Sequence, residues 1–419
     1  MDLTHSDGVV VIGAGHAGVE VVTSLRNDGY TGGITLINGE VHSPYDRPSL
    51  SKDALMGSAA DSPFFPLRAE TFFTSRDITV VHAKIARIQR DTKTVEAEDG
   101  RQWSYNHLVL ATGGRPRTLS VPGADLEGVA ELRSLDDAHS LSRALLSARH
   151  VAIIGGGFIG LEVAAAAAAV SSGAEVTLFE RSNRLMGRVV TQAISDAAAD
   201  HHRRSGVKLR FGDDIVSIRG ELGKVTAVLT ADGEEVPADL VVLGVGMVVN
   251  DDLASAAGLP VDRGILTDDR MRSADPNILA VGDCAAWEDQ EGHIHRLESI
   301  QNASDQARHA AATIIGGSER YTASPWFWSN QGAFKLQIVG LSDGCDRTVV
   351  RGDTQRFSVF CFLAGDLIAI ESVNDPGTHM MGRRLFERGL APNAAVLASE
   401  NYDLRTIAKR ELAKVGDSK

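Results

Sequence analysis

Two glycine-rich runs, Gly13-Ala14-Gly15-His16-Ala17-Gly18 and Gly155-Gly156-Gly157-Phe158-Ile159-Gly160, carry the GxGxxG spacing that brings a backbone turn against a pyrophosphate. In each, the first glycine makes the tight turn, the middle one leaves room for the ligand, and the last lets a helix pack closely on a strand. The helix opening there offers free amides and a positive dipole end to the anion. Carboxylates stand where a ribose hydroxyl would reach them: Glu40 soon after the first run's second strand, and Glu180 closing the second run's following strand. A 2′-phosphate would be repelled at Glu180, which favours NADH over NADPH. Arg181 and Arg184 follow closely and could instead serve such a phosphate. Two dinucleotide sites in one chain do chemistry together when one holds a bound redox cofactor and the other a diffusible hydride donor.

These residues need a βαβ frame, and the sequence supplies it twice. The apolar run Gly8 to Ile12 leads into the first motif, a helical pattern continues through Leu25, and Ile34 to Ile37 reads as the next strand. Val151 to Ile154, the second motif, an alanine-rich helix and Val176 to Phe179 repeat the order, an internal duplication at the domain level. The six alanines Ala164 to Ala169 read as a thin helix in a packed layer. Arg101 to Gly113 reads as one strand ending at Ala111, Thr112 and Gly113, with a connection from Pro116 to Pro122. Asp239 to Gly246 and Ile278 to Asp283 read as buried strands with glycine ends. Past Ser324, the segments Phe334 to Leu341, Arg347 to Arg351, Phe357 to Leu363 and Leu367 to Ser372 predict an antiparallel module. A short basic helix is expected after Asn401.

Composition bounds the possibilities. The 419 residues carry 42 Lys and Arg against 55 Asp and Glu, a net charge of −13, which argues against coating nucleic acid or anionic membrane. With 43% hydrophobic and 23% charged residues the chain is globular rather than disordered. Cys284, Cys345 and Cys361 form no CxxC pair and no metal-ligand cluster, so neither a disulfide scaffold nor a metal site is expected. No bilayer-spanning apolar stretch is read, and the start MDLTHSDG has no basic region of the kind that opens a targeting peptide. The expectation is a soluble, cytoplasmic, multidomain protein.

The runs GAGHAGVEVVTSLR from Gly13, YDRPSLSK (Tyr45 to Lys52), ATGGRPR (Ala111 to Arg117), GGGFIGLEVA (Gly155 to Ala164), AVGDCA (Ala280 to Ala285) and PWFWS (Pro325 to Ser329) resemble the FAD-dependent, NADH-linked ferredoxin reductases. The likeness covers residues 8 to about 375. YDRPSLSK and PWFWS separate this group from other flavoproteins of glutathione-reductase-like fold. It implies an α/β chain with two Rossmann-like dinucleotide-binding domains and a C-terminal α+β domain with an antiparallel sheet. The expected division is an FAD domain at 1–115 and 248–323, an NADH domain at 116–247 and a C-terminal domain at 324–419.

The resemblance also implies residue roles. FAD would run along Gly13, Gly15, His16, Ala17 and Gly18, with Glu40, Arg47, Ala111, Thr112, Gly113, Arg115, Gly282 and Asp283 beside it. The segment Glu298 to Gln306, with Ile300 at its start, would direct a helix dipole at the flavin pyrimidine. Lys52 would sit near the flavin's reactive edge, where a cation favours the electron-rich ring, and Trp328 beside the isoalloxazine. NADH would use Gly155, Gly157, Phe158, Ile159, Gly160, Glu180, Gly244 and Gly246, with Glu162 at the nicotinamide end. The implied partner is a [2Fe-2S] ferredoxin serving a cytochrome P450 or a ring-hydroxylating oxygenase, and the reductase is a monomer or homodimer. An acidic reductase meeting an acidic ferredoxin needs a local cationic surface, for which Lys335, Arg383, Arg384, Arg405, Lys409 and Arg410 are the candidates.

The chain departs from the family pattern at GVGMVVN (Gly244 to Asn250), which lacks the usual proline, at Gln301, where proline is common, and in a longer helix reaching Ser171 and Ser172 before Gly173. Reduction of a quinone, oxygen or another small acceptor stays open as an alternative, as does a non-enzymatic flavoprotein whose interactions NADH would switch. Thiol-based acceptors are disfavoured because the region after the first ribose acid holds His42 and no cysteine.

Overall fold

The computed structural model describes residues 8–56, 65–170, 173–288, 292–390, 392, 394–399, 404, 406 and 408, together with a short strand at Leu3–Thr4. Arg405, Lys409, Arg410, Ser171, Ser172 and most of the expected basic helix after Asn401 lie outside the described residues. The chain divides into two compact units: Met1–Arg47 with Phe64–Arg115 and Met247–Ala323, and Pro48–Pro63 with Pro116–Gly246 and Ser324–Lys419.

The first unit is built on a parallel sheet in the order Ile278–Ala280, His107–Leu110, Val9–Ile12, Ile34–Asn38, Ile78–His82. Val9–Ile12 is apolar at every position because both faces of its sheet are covered. Val9 and Val11 pack with the helices His16–Asn27 and Ile300–Ile314 through Val22, Leu25, Ala307 and Ala311. Val10 and Ile12 face the opposite core, under Ile88, Val95 and Trp103 of an antiparallel meander. The segment expected as one strand from Arg101 is two. Gln102–Ser104 closes the meander and His107–Leu110 enters the parallel sheet, with Tyr105 and Asn106 turning between them to donate to the carbonyls of Lys93 and Gly8.

The second unit repeats that order in Val129–Ala130, Leu240–Leu243, His150–Ile154, Glu175–Glu180, Val207–Phe211, with its own three-stranded meander. It also carries an antiparallel sheet ordered Trp326–Gln331, Phe334–Gly340, Asp366–Val373, Phe357–Leu363, Arg347–Gly352. Trp326–Gln331 is a strand the alternation pattern did not reveal. One face of this sheet, through Leu336, Val359 and Ala369, shares a core with Leu161, Ala164 and Ala167 of the helix Phe158–Val170. The alanines let that helix lie close in the layer. The other face packs on the helices Pro376–Phe386 and Ala394–Ala398 through Phe360, Ile370, Leu385 and Leu397. Among the described residues, no helix is long and apolar enough to cross a membrane.

Candidate functional site

In the first unit the expected cofactor residues gather at the carboxyl ends of adjacent parallel strands, where open α/β sheets bind ligands. Gly13 has φ 106°, and a Cβ there would lie 2.2 Å from the Ala111 carbonyl oxygen. A Cβ on Gly18 would lie 1.9 Å from the Gly13 carbonyl oxygen, so these two glycines are required by the chain's own packing. Gly15 differs: a Cβ there would meet only Arg47 Nε, at 3.9 Å. Gly15 also stands as N-cap of His16–Asn27 without a side-chain cap, which leaves the helix amides for a ligand. Ala17 faces Gly282, whose Cβ would come within 3.1 Å of the Ala17 methyl.

Glu40 accepts from Tyr45 Oη at 2.5 Å and from the Arg47 guanidinium, while His16 Nε2 lies 3.1 Å from Asp46 Oδ1. Burial opposes the charge on Arg47, but Glu40 and Tyr45 outweigh it and hold its pKa above the ordinary value. The Glu40 side chain keeps 32% of its surface exposed. Thr112 and Gly113 are clamped by Asn250: Thr112 Oγ1 donates to the Asn250 carbonyl at 2.6 Å, Asn250 Nδ2 returns a bond to the Thr112 carbonyl at 3.0 Å, and Asn250 N donates to the Gly113 carbonyl. Arg115 joins them through Asn250 Oδ1 and Asp252. The turn Gly282–Cys284 holds Asp283 half-buried, with the Gly282 amide donating to Gln306 Oε1 at 2.8 Å. Ile300 opens its helix under a Ser299 cap, whose hydroxyl accepts from Asn302 N.

The second unit reproduces the glycine geometry. Gly155 has φ 113° and a Cβ there would lie 2.3 Å from the Gly244 carbonyl oxygen; one on Gly160 would lie 2.0 Å from that of Gly155. Gly157 has nothing within 4 Å, and neither does Gly246, which has φ 105°. Ile159 is exposed, and the Phe158 ring packs at 4.4 Å on Phe327. Glu180 caps the turn, accepting from the amides of Gly156 at 2.8 Å and Ser182 at 2.7 Å. Arg184 donates to the carbonyls of Val190 and Gly187, so its guanidinium is already engaged by the chain; Arg181 is exposed.

Glu162 is not a solvated helix-face residue. It is 4% exposed, and its oxygens accept from Lys52 Nζ at 2.7 Å, Ser51 Oγ at 2.5 Å and Ser329 Oγ at 2.7 Å. Ser329 neighbours Trp328, which packs at 5.4 Å on Trp326. Three residues marked in the sequence, Lys52, Glu162 and Trp328, thus come from a short helical turn, a helix and a strand of one unit. Ser51, Ser329, Gln331, Tyr45 and Asn250 had no sequence signal beyond lying in or near the motifs, and His202 had none. Of the cationic candidates, Lys335 and Arg384 are exposed, whereas Arg383 stacks over Trp326 at 4.0 Å from the ring centre and pairs with Glu387. Among the described residues no group of three or more His, Cys, Asp or Glu could hold a metal ion.

Two glycine turns whose middle glycines have no backbone against them, each at the carboxyl edge of the same five-stranded topology, fit two dinucleotides and define an oxidoreductase of the two-nucleotide class. The pyridine nucleotide-disulphide oxidoreductase model matches residues 7–307 and a reductase C-terminal model matches 326–408. The chain belongs to the pyridine nucleotide-disulphide oxidoreductase family. It is 43% identical to rhodocoxin reductase of Rhodococcus erythropolis over 96% of this chain and 94% of that protein. It is 40% identical to putidaredoxin reductase of Pseudomonas putida over 97% and 99%. The crystal structure of the ferredoxin reductase for the CYP199A2 system of Rhodopseudomonas palustris superposes with a TM-score of 0.93 at 43% identity, covering 96% of this chain and all of that one.

Proposed function

We propose that this chain is an FAD-dependent reductase that takes electrons from NADH and passes them to a [2Fe-2S] ferredoxin serving a cytochrome P450 or a ring-hydroxylating oxygenase. The paired glycine turns with ligand-facing Gly15 and Gly157 carry this reading, together with end-to-end similarity to reductases named for such systems. Bound FAD supplies the conversion between a two-electron hydride donor and one-electron acceptors.

The chain's own part is binding and orientation. We assign Gly13, Gly15, His16, Ala17, Gly18, Glu40, Arg47, Ala111, Thr112, Gly113, Arg115, Gly282, Asp283 and Ile300 to FAD, with the amides before His16–Asn27 taking the pyrophosphate and Glu40 the ribose. Gly155, Gly157, Phe158, Ile159, Gly160, Glu180, Gly244 and Gly246 are assigned to NADH. Glu180 holds the turn through the Gly156 amide and presents negative charge where a 2′-phosphate would sit. Lys52, Glu162 and Trp328 are assigned to the flavin and nicotinamide rings, Glu162 holding the Lys52 ammonium in one place. No protein nucleophile enters this reading. The three-domain division at 1–115 with 248–323, 116–247 and 324–419, and a cytoplasmic location, are part of the same proposal. Exposed Lys335 and Arg384 are the described residues proposed to meet an acidic ferredoxin.

The test is reconstitution. Purified holoenzyme should consume NADH in preference to NADPH and reduce cytochrome c only when a [2Fe-2S] ferredoxin from a panel is added. Rapid turnover with a quinone or dioxygen and none with any ferredoxin would reject the acceptor; NADPH turnover equal to NADH would reject the role of Glu180.

A further inference from the structure

Where the helix Phe158–Val170 packs on the strand Trp326–Gln331, a line of polar side chains crosses an otherwise apolar core. His202 Nε2 lies 2.9 Å from Gln331 Oε1, Gln331 Nε2 donates to Ser329 Oγ at 3.3 Å and to Met186 Sδ at 3.7 Å, and Ser329 Oγ donates to Glu162 Oε1 at 2.7 Å. Glu162 Oε2 receives Ser51 and Lys52 from the other side. His202, Gln331 and Ser329 are fully buried.

The line has one direction. An amide oxygen only accepts, so His202 Nε2 carries the hydrogen, and Nδ1 is left as the bare nitrogen, which has no partner. Burial pushes the His202 pKa down to about 4, so the ring is neutral at neutral pH and this tautomer is fixed. The Gln331 amide then turns its donor to Ser329, whose hydroxyl hydrogen is left for the carboxylate. From His202 through Gln331 and Ser329 each donor points toward Glu162, the arrangement that suits an acceptor-only carboxylate. Buried polar groups cost desolvation that well-packed apolar side chains of similar volume avoid, so packing alone does not explain this line.

We propose that Ser329, Gln331 and His202 are positioning residues for the NADH reaction: they fix Glu162, and Glu162 fixes the Lys52 ammonium. This rests on the assignment of Lys52 and Glu162 to the nicotinamide and flavin rings. Ser329→Ala removes the last bond of the line, and Gln331→Met removes the middle one while keeping volume.

In holoenzyme, Ser329→Ala should slow single-turnover flavin reduction by NADH about tenfold, the scale of one hydrogen bond to a charged group. Bound flavin and NADH KM should stay unchanged. Lys52, freed from a fixed counter-ion, should be acylated several-fold faster by an amine-reactive reagent, read by mass spectrometry. Ser329→Thr should restore both values, and Gln331→Met should move both the same way by about threefold. If Ser329→Ala does not fold, Gln331→Met carries the test. Reduction and acylation both within twofold of the parent would overturn the proposal, as would slower reduction with unchanged Lys52 acylation. Lys52→Met and Glu162→Gln run alongside: if they slow reduction and the chain variants do not, the chain is rejected and the pair stands; if they leave reduction unchanged, the assignment of the pair itself falls.

Discussion

The second glycine turn separates packing from binding residue by residue. A methyl on Gly160 would lie 2.0 Å from the Gly155 carbonyl oxygen, well inside an ordinary contact of about 3.5 Å, so helix and strand must part. Overpacking of that kind costs about 3 kcal/mol. A methyl on Gly157 meets nothing within 4 Å, so Gly157→Ala should leave stability within about 0.5 kcal/mol of the parent. On the proposed assignment the NADH pyrophosphate enters that open space to bond the turn's amides, and displacing it would lose at least one charge-assisted hydrogen bond, about 1.5–3 kcal/mol or roughly 10- to 100-fold in affinity. The assay is a thermal melt beside an NADH titration of flavin reduction. Gly157→Ala should melt with the parent and bind NADH weakly; Gly160→Ala should melt well below it. An unchanged NADH KM in Gly157→Ala, or parental stability in Gly160→Ala, would refute the reasoning. In the first unit, Gly15→Ala should fold and lose flavin, whereas Gly18→Ala, 1.9 Å from a carbonyl oxygen, should not fold well.

Lys52→Met leaves the Glu162 carboxylate, 4% exposed, with two serine donors and no counter-ion, and should destabilise the protein by about 3 kcal/mol. Adding Glu162→Gln should recover much of that loss in denaturant midpoints, and equal instability of single and double variants would contradict the pairing. Glu180→Gln keeps an acceptor for Gly156 N but drops the charge, so the ratio of NADH to NADPH efficiency should fall about tenfold or more; an unchanged ratio counts against the role of Glu180. His202 has a folded pKa of about 4 against 6.5 for the free group, so in that window the unfolded chain binds more protons and stability is lost as pH falls through it. Between pH 7 and pH 5 this group should cost about 2 kcal/mol, and His202→Gln should lose that much less over the same interval in urea melts; equal losses would reject the assignment.

The glycine turns were legible because their requirement is local: a positive φ at Gly13 and Gly155, and no Cβ where a helix meets its strand. The continuous apolar runs at Val9–Ile12 and Val151–Ile154 announced doubly covered parallel strands for the same reason. Arg101 to Gly113 misled because a short strand of the meander sheet and a buried parallel strand adjoin with only Tyr105 and Asn106 between them, and their combined apolar content reads as one segment. Trp326–Gln331 was legible as a motif but not as a strand, since two tryptophans, a serine and a glutamine give no clean apolar alternation. Arg184 stood open in the sequence as an alternative ligand for a 2′-phosphate, and only the carbonyls of Val190 and Gly187 show where its guanidinium goes.

The sequence by itself determined the two glycine turns, marked Glu40 and Glu180 as the carboxylates that follow them, and showed no CxxC motif, because each depends on residues near one another in the chain. Only the tertiary structure decided what those residues do to each other. Lys52 and Glu162 are 110 positions apart and Glu162 and Ser329 are 167 apart, and no periodicity links such pairs. They meet because an alanine-rich helix lets a strand of the antiparallel sheet and the turn Pro48–Ser51 approach it closely, and a buried carboxylate there is stable only with all its donors in place.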